Sequence, residues 1–159
     1  MNSKHHMLVA ALVIIIVLLL LSLFPASFND DTKSEKFSVY PCESLVSGCQ
    51  AIIGDKKIEI KFPGNIVFLK QFPVEIRFPG HKKVAIDQVV VDFQMVGMNM
   101  GINKYLLKLD ENDKTLWAGK AVLPVCTTGR TDWQAIVSVK QGDEVQRVAF
   151  QFEVMPGTQ

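Results

Sequence analysis

Two regimes of hydrophobic patterning divide the chain. Residues 7–24 read MLVAALVIIIVLLLLSLF, an apolar run with no charged side chain and with Ser22 as its polar interruption. Beyond residue 37 the pattern changes to short stretches in which apolar and polar residues alternate. Across 57–62, Ile58, Ile60 and Phe62 fall on one side and Lys57, Glu59 and Lys61 on the other. Val74, Ile76 and Phe78 oppose Glu75 and Arg77 in the same way, and Val89, Val91, Phe93 and Met95 oppose Val90, Asp92 and Gln94. Near the end Val148, Phe150, Phe152 and Val154 alternate with Gln151 and Glu153. A period of two is the mark of a strand with one buried face. Similar runs occupy 104–109, 115–123 and 133–140, and Pro63-Gly64-Asn65 and Pro79-Gly80 punctuate them as turns. About eight short strands with no amphipathic helix after the first run predict an all-β domain, an immunoglobulin-like antiparallel β-sandwich. A closed barrel is the competing architecture. Trp117 and Trp133, on strand positions, are expected in the core.

The first run predicts a single transmembrane helix preceding that domain. At 1.5 Å per residue a helix over 7–24 spans most of a ~30 Å hydrocarbon layer, and a continuous helix pairs its backbone groups internally there. A cleaved signal peptide is the alternative. The run is longer than the usual ~7–15 residue core of such a peptide, and no clean Ala-x-Ala site follows, so a retained anchor is preferred. Lys4, with His5 and His6, precedes the run and Asn29, Asp30 and Asp31 follow it, which by the positive-inside tendency keeps the N-terminus in the cytoplasm. The expected organisation is a cytoplasmic tail (1–6), an anchor (7–24), a polar tether (25–36) and a domain (37–159) facing the periplasm from a bacterial inner membrane.

The 159 residues leave room for one domain besides the anchor. The formal net charge is +1, with lysines and arginines scattered rather than clustered, which argues against nucleic acid as a partner. The chain has no Ser-His-Asp elbow, Walker loop, HExxH or dinucleotide fingerprint, so no enzyme activity is expected. His81 falls in a turn, and Asp87, Asp92 and Asp132 fall on exposed strand positions or turns, where Arg130 can pair with Asp132.

The densest chemical feature is Met95-Val96-Gly97-Met98-Asn99-Met100-Gly101, which holds half of the 6 methionines. On an extended backbone Met98 and Met100 point the same way, and the flanking glycines let the chain turn and a ligand approach. Thioether sulfur is a soft, uncharged donor that selects Cu(I) over harder ions. The plainer alternative is that the methionines fill gaps in a core. There are 3 cysteines, an odd number for an oxidising compartment. Cys42 and Cys49 lie close enough in sequence to close a small disulfide loop, leaving Cys126 as a free thiol and a candidate metal ligand. Pairing of Cys126 with Cys42 or Cys49 is equally open from the sequence.

An apolar anchor, a β-rich domain, the stretch from Asp92 to Gly101, then Leu123-Pro124-Val125-Cys126-Thr127-Thr128-Gly129-Arg130 and Trp133 together resemble the FixH/YtkA-like proteins. That resemblance implies a membrane-tethered domain concerned with copper handling or cytochrome oxidase assembly, with Met95, Met98 and Met100 matching the Met-Gly pattern. The implied partners are the membrane, a respiratory oxidase or a copper-delivery protein, and the implied cofactor is copper as Cu(I). Cys126 enters the candidate metal set from spacing alone. The reading of a different class is a metal-free interaction module or accessory subunit of a membrane complex.

Overall fold

The computed structural model describes residues 12–16, 37–80, 85–98, 100–125 and 129–154, in two compact units, Met1–Glu35 and Lys36–Gln159. In the first, residues 12–16 are helical with exposed apolar side chains. Among the described residues no helix is long and apolar enough to cross a membrane. The remainder of the apolar run, with the tail and the tether, lies outside the described residues.

The second unit is built from strands. They are β1 (Ser38–Pro41), β2 (Cys49–Ile53), β3 (Lys56–Lys61), β4 (Gln71–Arg77), β5 (Gln88–Met95), β6 (Lys104–Leu109), β7 (Leu116–Val122), β8 (Asp132–Gln141) and β9 (Glu144–Glu153). They form one sheet in the order β1-β9-β8-β5-β6-β7-β4-β3-β2. The alternation read from the sequence is the alternation of burial: in β5, Val89, Val91, Phe93 and Met95 are buried while Val90, Asp92 and Gln94 are only half so. Two features depart from the expectation. β1 and β2 were not legible as strands, and β1 pairs with β9 in parallel, Ser38 opposite Val148, whereas the other strand pairs are antiparallel.

The sheet turns on β6, which pairs with β5 near its start (Lys104 opposite Asp92) and with β7 at its end (Leu109 opposite Trp117). The two halves thereby face each other across one core. Phe62, just beyond β3, is fully buried, and its ring centroid lies 5.7 Å from that of Phe72, 5.8 Å from Phe93 and 5.6 Å from Phe152. These rings come from both halves of the sheet, and their tilted and edge-on arrangements are the favoured ones for aromatic quadrupoles. Trp133 and Trp117 are both buried, as expected of core residues.

Strand direction fixes where the loops go. Because Met95 pairs with Trp133 and Gln71 with Val122, the segments after β1, β3, β5 and β7 all emerge at the same end of the sheet. The loops after β2, β4, β6 and β8 emerge at the other.

Phe62→Ala should therefore cost about 3–5 kcal/mol, the usual range for deleting a buried aromatic ring. Ile52→Ala, on the exposed face of β2, should stay within ~0.5 kcal/mol, as is usual for surface substitutions. Urea denaturation of both variants checks this, and equal costs would show that Phe62 is not the centre of the core.

Candidate functional site

The β5–β6 loop carries the methionines, and β5 leads into it with an inward Met95. That side chain is 1% exposed and belongs to the core. Val96 and Gly97 then make a tight turn, Gly97 at φ 71°, a backbone conformation that residues with a Cβ adopt only under strain. The Met98 N–H donates to the Met95 carbonyl at 3.0 Å, and the two residues form an isolated antiparallel bridge. Bridge partners project to the same face with Cβ atoms ~4.5–5.5 Å apart, so Met98 stands beside Met95. Met98 is 37% exposed and Met100 is half-buried, packed against the same core. Met95 and Met98 thus stand side by side, one in the interior and one at the rim, with Met95 deeper than a strand-end position suggested.

On its other side Met95 is the register partner of Trp133, which in turn pairs with Phe152 on β9. The row Phe152, Trp133, Met95, Met98 therefore runs laterally across neighbouring segments, two aromatic side chains followed by two thioethers. Sulfur next to an aromatic ring is a favourable contact for both. Among the described residues, the Trp133 Nε1–H is the buried side-chain polar atom left without a partner.

Polar groups on the outer face hold the loop in place. Gln94 accepts the Met100 N–H at 2.7 Å through Oε1, and through Nε2 donates to the Gly101 carbonyl at 3.1 Å and to Asp92 Oδ1 at 2.9 Å. Asn103, buried, donates to the Phe93 carbonyl at 3.0 Å, and its own carbonyl accepts the Phe93 N–H at 3.1 Å. From the β7–β8 side Arg130 donates through Nη2 to the Val96 carbonyl at 2.8 Å and forms a two-point ion pair with Asp132, Nε to Oδ1 at 2.9 Å and Nη2 to Oδ2. The hydrogen bond from Arg130 holds the Asp132 carboxyl below its ordinary value. The sequence pointed to the Arg130–Asp132 pair but not to Gln94, since an outward glutamine on a strand carries no mark that separates a clamp from a solvated side chain.

The disulfide Cys42–Cys49 closes the β1–β2 loop, with Cα atoms 5.4 Å apart, at the same end of the sheet. Next to it a cleft of about 760 Å³ is lined by Glu43, Leu45, Val46, Phe152 and Glu153 among others. Cys126 and His81 lie outside the described residues, and so does Asn99. The described ends of the β7–β8 loop, Val125 and Gly129, belong to the methionine end. Among the described residues no three of His, Cys, Asp and Glu stand together as a metal-binding group.

This end also exposes large apolar side chains on several loops: Ile102 is 94% exposed, Leu69 68% and Val125 52%. Leu69 adopts φ 60°, a left-handed conformation that costs a branched side chain of order 1–3 kcal/mol. Its N–H donates to the Leu123 carbonyl at 2.9 Å, which helps to hold it there. Comparison with family models, curated proteins and solved structures gave no match to this chain.

Because the Asp132 carboxyl is lowered in the fold, its contribution is present above the ordinary carboxylate value and is lost as the pH falls through the lower folded-state value. Protection of the Met98 amide, corrected for intrinsic exchange, should hold from neutral pH to about 4 and fall below that. Asp132→Asn should lower the protection throughout and remove the acid step. Unaltered protection in that variant would show that the pair does not hold the loop.

Proposed function

We propose that this chain is a non-enzymatic, membrane-tethered copper-binding factor that serves a respiratory oxidase or a copper-delivery protein. It holds Cu(I) through Met95, Met98 and Met100, with Cys126 as a fourth donor. In this reading residues 7–24 anchor the chain in a bacterial inner membrane and residues 37–159 form an immunoglobulin-like sandwich on the periplasmic side. The strand order supports the sandwich: β8 lies between β5 and β9 in one half and β4 lies between β7 and β3 in the other, the neighbour relations of an immunoglobulin-like domain. The observation that carries the function is the bridge that sets Met98 beside Met95, with Met100 packed on the same core. Thioethers are the right donors for a monovalent soft ion, because they bring no charge and no proton to displace. A tether raises the effective concentration of such a site near a membrane enzyme without a large interface.

A second reading rests on the exposed Ile102, Leu69 and Val125 at the same end. There the domain is a metal-free accessory module that docks this apolar end on a membrane complex, with the methionines as an adaptable contact.

Full-length chain in detergent, titrated with Cu(I) against a chromophoric chelator, separates the two. Met98→Leu combined with Met100→Leu should abolish Cu(I) binding at nearly unchanged stability, since Leu-for-Met exchange in a packed site costs less than ~1.5 kcal/mol. Cys126→Ser should weaken binding if the thiol is the fourth donor. Unchanged affinity in the double methionine variant removes the metal reading, and co-purification with a membrane complex independent of copper supports the module.

A further inference from the structure

Between the Met95–Met98 bridge and Asn103 the β5–β6 ladder is interrupted, and a side chain takes the place of backbone. Register pairing of β6 with β5 begins only at Lys104, opposite Asp92. In the gap the Met100 N–H and the Gly101 carbonyl both turn to the Gln94 amide, at 2.7 and 3.1 Å. The Met100 N–H is part-buried, where an unpaired backbone donor is costly, so this amide helps decide where the returning arm of the loop can sit. Gly101, at φ 72°, follows directly and turns the chain towards Asn103.

From this geometry we infer that Gln94 is a positioning residue for the soft-metal site: it fixes the backbone of Met100, and thereby the reach of the Met100 thioether towards the Met95–Met98 pair. This rests on the Cu(I) reading above. The hydrogen bonds of Gln94 go to the Met100 N–H, the Gly101 carbonyl and the Asp92 carboxylate, and not to sulfur. Gln94 lies on the outer face of β5, while Met95, the next residue, points inward. The side chain must be an amide, because it accepts one hydrogen bond and donates two at once, the second donation going to Asp92 Oδ1 at 2.9 Å. An ionised carboxylate in its place keeps the acceptor, loses both donors and faces the Asp92 carboxylate. A protonated one regains a donor.

That difference gives a test on which a merely structural role would leave no trace. Thioethers do not titrate, and any titration of the Cys126 thiol is common to variant and wild type, so Gln94→Glu should introduce a pH dependence of its own, read as the ratio of variant to wild-type Cu(I) affinity at each pH. Among the described residues the ionisable groups around position 94 are Asp92 on the same strand, Lys104 opposite Asp92 on β6, and the Arg130–Asp132 pair at the start of β8; the direct partner on β8 is the neutral Gln134. With full-length chain in detergent, the ratio should lie within about 3-fold of unity at pH 5 and fall at least ~10-fold by pH 7.5, a tenfold change being what ~1.4 kcal/mol delivers. Gln94→Ala should weaken binding at both pH values without a pH trend, and thermal unfolding should confirm that both variants are folded. A pH-independent ratio near unity for Gln94→Glu, with wild-type affinity in Gln94→Ala, overturns the positioning role while the metal reading stands. Absence of Cu(I) binding by the wild type overturns both.

Discussion

Everything in the domain depends on two sheet halves sharing one apolar layer, and Phe62 marks its centre. Its ring meets Phe72 from the same half and Phe93 and Phe152 from the other, so β4, β5 and β9 cannot shift by one residue without turning an aromatic ring out of the core. Burial of this kind is non-directional, but the pleat makes it register-specific. The register of β5 against β8 then fixes what happens at the strand ends: with Phe93 opposite Ala135, Met95 must stand opposite Trp133. The placement of the methionines is thus a consequence of core packing several residues away.

The departures from ideal construction gather at one end. Leu69 holds a left-handed backbone, the buried Trp133 Nε1–H has no partner among the described residues, Ile102 is almost fully exposed, and the β5–β6 ladder is interrupted between the Met95–Met98 bridge and Lys104. At the opposite end the β6–β7 turn has the reverse character: Asp113 accepts from the Thr115 N–H and hydroxyl, its carboxyl is lowered mainly by those bonds, and it pairs with Arg77. Natural sequences concentrate such local conflicts where a function requires them. Their clustering beside the methionines is an argument for that end that does not depend on which ligand or partner it meets.

Most of the fold was legible because one face of each long strand is buried, and burial writes itself as alternation. β3, β4, β5 and β8 follow this rule closely, and β9 does so at its end, where Phe150 and Phe152 are buried and Gln151 and Glu153 exposed. β1 was not legible because it lies mostly exposed at the sheet edge and offers no apolar face, and β2 because its Cys-Gln-Ala-Ile-Ile sequence looks like the tail of a loop. The parallel pairing of β1 could not be foreseen either, since nothing in a short edge segment encodes the direction of its neighbour. At the site the methionines stood out by density. Their order of depth did not, because the sequence shows that Met95 ends a strand but not that Trp133 and the opposite half close over it. Gln94 and Asn103 were invisible for a related reason: their roles depend on which backbone atoms face them across the turn, and that is decided by the turn's geometry.

The pleat of β5 connects these observations. Successive residues point to opposite faces, so Gln94 and Met95, neighbours in sequence, work in different environments. The outer face carries the hydrogen bonds that hold the loop, through Gln94 and the Arg130–Asp132 pair, and the inner face carries sulfur and aromatic rings. A soft cation in the proposed site gains from that separation. The Asp92 carboxylate, an oxygen donor suited to a harder ion, lies on the far side of the strand, while the Met98 and Met100 backbones are held by hydrogen bonds that do not involve their sulfur atoms. Putting Gln94 one residue earlier or later would place its amide in the core and one of the flanking residues outside. The alternation that made the strand readable from sequence is therefore also what keeps the polar scaffold of the loop apart from the thioethers it positions.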